Sequence, residues 1–282
     1  MQITRDIRDL IDRTLAEDLS IGDPTTDILI PSDLESTAVL LAKEDGILAG
    51  LDVGMEAFRR FDDRVITTPL LEDGAEIKPG DHLGTIQGSV ASLLKAERTA
   101  VNFMQRMSGI ATQTQRYVQA VDGHQVRIVD TRKTTPGLRF LEKYSVRMGG
   151  GHNHRQNLGD GILIKDNHID ALKRDGMSLG DVVRKAIREA SHTIRVEVEV
   201  ENLEQLDEAL NAGAGIILLD NMDTEQMATA VKIAKGKAFT EASGGITLET
   251  VRAVAATGVD IISVGALTHS VRALDISMDM LD

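Results

Sequence analysis

The stretch Arg195–Gly245, RVEVEVENLEQLDEALNAGAGIILLDNMDTEQMATAVKIAKGKAFTEASGG, decides the fold class. Three short β-rich runs, RVEVEV, GIILLD and AFTEASG, are separated by two helical patterns, LEQLDEALNAG and TEQMATAVKIAK. From Glu199 to Asp220, Ser243 and on to Gly265 the period is close to twenty residues. Strands this apolar, alternating with helices, belong in a parallel sheet covered on both faces. The period suits β/α units closing into a barrel, and a doubly wound open sheet is the alternative reading.

The rhythm extends outward. VRIVDT and GILIKD precede the stretch and IISVGA follows it, with LGDVVRKAIREA and LETVRAVAATG as further helical patterns. The first ~110 residues differ and read as an α+β unit on pattern and turn signals. There, Ile3, Ile7, Leu10, Ile11 and Leu15 mark an amphipathic helix, and GDPTTD reads as a turn. STAVLLAKEDGILAG reads as a strand, a turn and a return. LDVGMEAFRRF reads as a short helix, and VITTPLLEDGAEIKPGDHLGTIQGSV as short strands. A longer helix is expected over about Ser92 to Ala120.

Nearly every strand candidate of the second half ends in a functional group. These are Asp130-Thr131-Arg132-Lys133, Lys165-Asp166-Asn167, Glu199, Asp220-Asn221, Glu241-Ser243-Gly244-Gly245 and Gly265. In β/α barrels the C-terminal strand ends build the active site. In RVEVEVE the side chains alternate, so Val196, Val198 and Val200 share one face and Glu197, Glu199 and Glu201 the other. In a barrel the glutamates would face the lumen and need cations or donors. Arg132, Lys133, Arg155 and Lys165 are the candidates. An edge strand with a solvated acidic face is the other reading.

Charge is uneven. Arg127 to Arg174 holds ten Lys/Arg against five Asp/Glu, a net +5 in a chain of −13, which leaves −18 for the remainder. The segment reads either as a solvated basic face or as an anion pocket. Glycine turns in EASGG and SVGALTHS, each leading into a helix, add backbone N–H groups suited to phosphate. GGGHNHR, with distant His168, raises a metal site, but no cysteine assists and Arg155 adjoins His154. Anion contact is the better use of those histidines. Arg98 lies on a stripe with Leu94, Val101, Met104 and Ser108, where a cation either snorkels or marks an interface or site.

Bulk composition narrows the classes. The pI near 5.0 argues against a nucleic-acid backbone binder. The 2% aromatic content and missing tryptophan argue against base-stacking platforms. No apolar run approaches the ~18–20 residues of a membrane span, and the charged N-terminus is unlike a signal peptide. The absence of cysteine excludes disulfides, thiolate metal sites and a Cys nucleophile, and fits the cytoplasm.

ERTAVNFMQRMSGIAT, DTRKTTPGLR, EKYSVRMGGGHNHR, GILIKDNHI, VEVEVE, LLDN, EASGGI and GVDIISVGALTHS, with EDLSIGDPTTD near the start, resemble one family. It is quinolinate phosphoribosyltransferase, a type II phosphoribosyltransferase, and the resemblance runs in order over nearly the whole chain. It implies an α/β fold: an N-terminal α/β sandwich over 1–110, with segment 270–282 returning to it, and an irregular open β/α barrel over 111–269. It implies phosphoribosyl transfer from phosphoribosyl pyrophosphate to quinolinate with decarboxylation, and a homodimer, or a higher oligomer, in which Arg98 reaches the partner's site.

By the same resemblance, Arg98, Arg132, His154, Arg155 and Lys165 bind the quinolinate carboxylates. Lys133 and His269 face the phosphates, with Thr131 nearby. The backbone at Ser243-Gly244-Gly245 and Val264-Gly265-Ala266 holds phosphate oxygens. Glu199 and Asp220 take the ribose hydroxyls, directly or through Mg²⁺ carried by the substrate. Lys133, Glu199 and Asp220 are the catalytic positions. A sister enzyme acting on nicotinate or another aromatic acid is the nearest alternative. A non-catalytic phosphate-ligand protein is a second, and EDGAEIKPGDHLGTIQGS has the rhythm of a lipoyl carrier without its lysine.

Overall fold

The computed structural model describes residues 1–281, so only the last residue of the expected 270–282 segment lies outside it. The chain forms two compact units. The first comprises 1–113, 147–149 and 271–282, and the second 114–146 and 150–270.

The first unit opens with α1 (Arg5–Asp18), whose Ile7, Ile11 and Leu15 are buried on one stripe. Each such aliphatic side chain contributes about 1.5–3 kcal/mol of burial. Next comes α2 (Pro24–Leu29), where the sequence pattern suggests a turn. The Asp23 side chain accepts from the Thr26 N–H and Pro24 opens the first turn, which is a helix start rather than a loop.

Then follow β1 (Glu35–Ala42), β2 (Gly46–Ile47), α3 (Leu51–Phe61), β3 (Ile66–Pro69), β4 (Glu76–Ile77), β5 (His82–Ser89) and α4 (Val90–Ala120). The return after β1 is not a hairpin partner: β2 pairs with β4, while β1 pairs antiparallel with β5. On its other side β1 pairs with the last strand of the chain.

The second unit takes in the end of α4 from residue 114, then β6 (Arg127–Val129), α5 (Arg139–Met148, whose last two residues fall in the first unit), β7 (Ile162–Ile164), α6 (Asp166–Lys173), α7 (Leu179–Glu189) and β8 (Val196–Val200). It continues through α8 (Leu203–Asn211), β9 (Ile216–Asp220), α9 (Thr224–Ala234), β10 (Phe239–Ser243), α10 (Val251–Ala255), β11 (Ile261–Ser263) and α11 (Ala266–His269). The terminal strand β12 (Ile276–Leu281) returns to the first unit, giving a sheet ordered β12-β1-β5-β3.

Helix starts in the second unit are set by side-chain caps. Ser178, Asn202 and Asp223 accept from the N–H of Asp181, Gln205 and Gln226. The strands form a parallel sheet ordered β6-β11-β10-β9-β8-β7. The order is cyclic, since the last strand lies beside the first. A doubly wound sheet would reverse direction at a switch point instead. No ladder joins β6 to β7 among the described residues, and beside β6 there is a single bridge from Val129 to His152. The result is an open β/α barrel.

Candidate active site

The strand ends of the second unit surround a cavity of about 820 Å³. Of the sixteen residues expected at the site, fifteen line it: Thr131, Arg132, Lys133, His154, Arg155, Lys165, Glu199, Asp220, Ser243, Gly244, Gly245, Val264, Gly265, Ala266 and His269. Arg98 does not. It lies on α4 in the first unit, 60% exposed, with Glu97 at 3.7 Å as the carboxylate beside it. Leu163, Asp166, Asn167, Leu218, Asn221, Glu241, Ile246, Thr247 and Ser263 complete the lining.

Sheet register places the acids. Glu199, Leu218 and Glu241 are neighbours across β8, β9 and β10, so their side chains share a face. The valines of β8 are buried. Glu199 is paired with Lys165 at 2.7 Å. Asp220 accepts from the Asn221 side-chain amide at 2.7 Å. Burial, and then the neighbouring Glu199 charge, hold the Asp220 carboxyl above its ordinary value. Two carboxylates offering only oxygen suit Mg²⁺. A cation beside them would relieve the repulsion that raises Asp220, so these residues fit the implied metal.

Glu241 also belongs to a cluster that sequence spacing does not reveal. His154 Nε2 is 3.3 Å from Glu197 and 3.5 Å from Glu241. The other ring nitrogen, Nδ1, accepts from the Arg155 backbone N–H at 2.7 Å. The proton therefore sits on Nε2, facing the acids, and both ring nitrogens are engaged by the protein. The partner of Glu197 is His154, not one of the four cations expected to serve the lumen glutamates. Burial opposes charge on the ring, but Glu197 and Glu241 outweigh it and raise its pKa. Burial, joined by repulsion from Glu197, pushes Glu241 up to about 7. One oxygen of each glutamate is buried without a hydrogen-bond partner. A single proton shared between the two carboxyls would satisfy both. His152 and His168 do not join His154: His152 sits at the β6 bridge, and His168 Nδ1 accepts from the Lys165 N–H at 3.0 Å.

The cations are held in different states of readiness. Arg132 Nε is buried and has no partner. Arg155 donates to the Gly161 carbonyl at 3.2 Å, and burial followed by the nearby Arg132 charge lowers its pKa. Arg139 is spent locally, on Thr134 Oγ1 at 2.9 Å and the Gln156 carbonyl.

The glycine turns at the strand ends are sterically committed. Gly244 has φ +93°, and a Cβ there would fall 2.1 Å from Asn221 Oδ1. At Gly265 a Cβ would meet Lys133 Cδ and the His269 ring at 3.1 Å. Its absence lets those two side chains converge. The Lys133 carbonyl is fixed by Thr268 Oγ1 at 2.8 Å, and its N–H by Thr131 Oγ1 at 3.0 Å.

The family model for the quinolinate phosphoribosyl transferase C-terminal domain matches residues 110–279, and that for the N-terminal domain matches 23–108. The chain is 44% identical to a probable nicotinate-nucleotide pyrophosphorylase (carboxylating) of Bacillus subtilis over 274 residues, covering 97% of this chain and 93% of that one. It is 47% identical over 281 residues to the nicotinate-nucleotide pyrophosphorylase (carboxylating) of Mycobacterium leprae, covering 97% and 96%. The crystal structure of NadC from Streptococcus pyogenes superposes with a TM-score of 0.94 at 41% identity, covering both chains fully.

Proposed function

We infer the working of the cavity from one premise: the chain belongs to the quinolinate phosphoribosyltransferase family. It is an enzyme that transfers the phosphoribosyl group of phosphoribosyl pyrophosphate to quinolinate. Decarboxylation follows, giving nicotinate mononucleotide, pyrophosphate and CO₂ on the route to NAD. No described helix is long and apolar enough to cross a membrane. In our reading the enzyme works in the cytoplasm.

The observation that carries the assignment of roles is the convergence of Arg132, Arg155 and Lys165 on one cavity with the Glu199–Asp220 pair. Quinolinate brings two carboxylates. Arg132, with its unpartnered buried Nε, and Arg155 take them, since guanidinium forks match carboxylates. Lys165 leaves Glu199 to join them. His154, with Nε2 turned to Glu197 and Glu241 and Nδ1 accepting from the Arg155 N–H, lines the quinolinate side of the cavity rather than offering a free ring nitrogen. Lys133 and His269, with the backbone at Gly244-Gly245 and Gly265-Ala266, receive the phosphates, and Thr131 positions Lys133.

The ring nitrogen of quinolinate attacks the anomeric carbon as pyrophosphate leaves. Glu199 and Asp220, lying by the ribose, stabilise the positive charge that develops on the sugar. The chemistry Mg²⁺ supplies when bound is neutralisation of the leaving pyrophosphate, and Glu199 and Asp220 are the residues that would hold it. Once alkylated, the ring nitrogen is cationic and stabilises the carbanion left at the adjacent ring carbon when its carboxylate departs as CO₂, and a proton taken up from solvent at that carbon completes nicotinate mononucleotide. Positioning and charge complementarity do the work, and no protein nucleophile is required.

We assign a homodimer in which Arg98 completes the partner's quinolinate site. Support comes from the exposed position of Arg98 on a stripe where Leu94 is half-buried and Val101 and Met104 are 1% and 0% exposed. The same unit exposes Ile21, Ile28 and Leu29. The test of the reaction is a substrate panel with quantified CO₂. Quinolinate should release one CO₂ per pyrophosphate, whereas turnover of nicotinate with quinolinate inert would overturn the assignment.

A further inference from the structure

The buried pair Asp130–Lys143 is not needed for any step above, yet it is tied to the site's anion-binding loop. Asp130 is fully buried and Lys143 is 1% exposed. Their charged groups are in direct contact. Burial raises the Asp130 carboxyl and lowers the Lys143 amine, with each partner opposing the other's shift. An ion pair so deeply buried is weak evidence for stability, because desolvation consumes the attraction. Its hydrogen bonds show another use.

Alongside β6 the main-chain ladder runs out at His152. The His152 N–H donates to the Ile128 carbonyl at 2.8 Å, and the Asp130 N–H donates to the His152 carbonyl at 3.2 Å. Beyond that point the backbone of 153–155 has no strand to pair with. The two side chains take over the ladder's task. Asp130 Oδ1 accepts from the His154 N–H at 2.9 Å, and Lys143 Nζ donates to the His154 carbonyl at 3.0 Å. Asp130 Oδ2 accepts from the Asn153 side-chain amide at 2.6 Å, and that amide also reaches the Lys143 carbonyl at 2.8 Å. Both backbone groups of His154 are thus fixed by one buried pair.

We propose that Asp130 and Lys143 are positioning residues: they hold the backbone at His154 so that His154 and Arg155 face the cavity and set its fit to the pyridine dicarboxylate. The phosphate side is anchored separately, by Thr131 Oγ1 and Thr268 Oγ1 on Lys133. Loosening the pair therefore degrades quinolinate recognition and spares phosphoribosyl pyrophosphate. This rests on the placement of Arg155 at the quinolinate carboxylates.

The test is steady-state kinetics with each substrate varied, on Asp130→Asn/Lys143→Met, Asn153→Ala and, as a control of the underlying assignment, Arg155→Ala. The double variant removes both charges together, so no uncompensated charge stays buried. It should raise the KM for quinolinate about tenfold or more and leave the KM for phosphoribosyl pyrophosphate within about twofold. Asn153→Ala leaves the pair intact and should shift the same parameter, less steeply, which keeps the test decisive if the double variant does not fold. Asp130→Asn/Lys143→Gln, which restores a donor toward the His154 carbonyl, should recover part of the loss. An unchanged quinolinate KM in the variants, or equal rises for both substrates, overturns the proposal provided Arg155→Ala shows its own quinolinate defect. If Arg155→Ala shows none, the placement of Arg155 is what fails.

Discussion

Glu241→Gln should make the protein less sensitive to rising pH. Glu241 is 2% exposed, beside Glu197 and His154, and its carboxyl is pushed from an ordinary 4.5 up to about 7. Below pH 4.5 the group carries its proton whether the chain is folded or not. Between there and pH 7 only the folded state keeps it, so the folded protein binds more protons and stability falls as pH rises. A displacement from 4.5 to about 7 corresponds to about 3 kcal/mol, fully lost above pH 7. Glutamine fills the same space, and its amide can donate permanently to the unpartnered Glu197 oxygen. The support His154 gets from Glu197 persists in the variant, so comparing the two proteins isolates Glu241. The assay is thermal unfolding at pH 5 and pH 8. Wild type should lose about 6–12 °C more than Glu241→Gln between the two. Equal losses, or a larger loss in the variant, would refute a shared buried proton.

Other outcomes follow from the same geometry. Arg132→Ala or Lys165→Ala should lower kcat/KM for quinolinate about 10- to 150-fold, the worth of a charge-assisted hydrogen bond, with the unfolding midpoint unchanged. Near-normal turnover would count against the roles given to them. Arg98→Ala and Lys165→Ala, each poorly active alone, should regain about a quarter of wild-type activity when unfolded together and reassembled, because half the dimers then hold one intact site. No recovery would remove the shared-site arrangement. Gly244→Ala places a Cβ 2.1 Å from Asn221 Oδ1 at φ +93°, and should weaken phosphoribosyl pyrophosphate binding more than quinolinate binding when both are titrated.

The barrel was legible because parallel strands buried on both faces read as apolar runs, and helices between them keep their own period. The site was legible for a related reason: polar groups recur where those runs end, and GILIKD and GIILLD stop on residues that line the cavity, as does RVEVEV one residue before its end, at Glu199. Contacts distant in sequence were not legible. Residue-by-residue patterning cannot tell that β1 pairs with β12 across the whole chain, and it suggested a local hairpin. Likewise nothing local announces that His154 meets Glu197 and Glu241, since three separate elements deliver them. Helix α2 escaped notice because Ile28 and Leu29 are exposed, so its six residues show no buried stripe. The cap signature Asp23-Pro24 was present and could have found it. Asp130, visible only as a strand-end acid, gains its meaning from Lys143, thirteen residues on, and from the backbone they jointly hold.

The central claim is that cations from separate strand ends meet around one doubly anionic ring. A crystal structure with quinolinate bound tests it most directly. The ring should lie in the cavity with its two carboxylates at hydrogen-bond distance from Arg132, Arg155 and Lys165, and Lys165 drawn away from Glu199. Quinolinate bound elsewhere, or in the cavity with its carboxylates turned from those three side chains, would contradict the account.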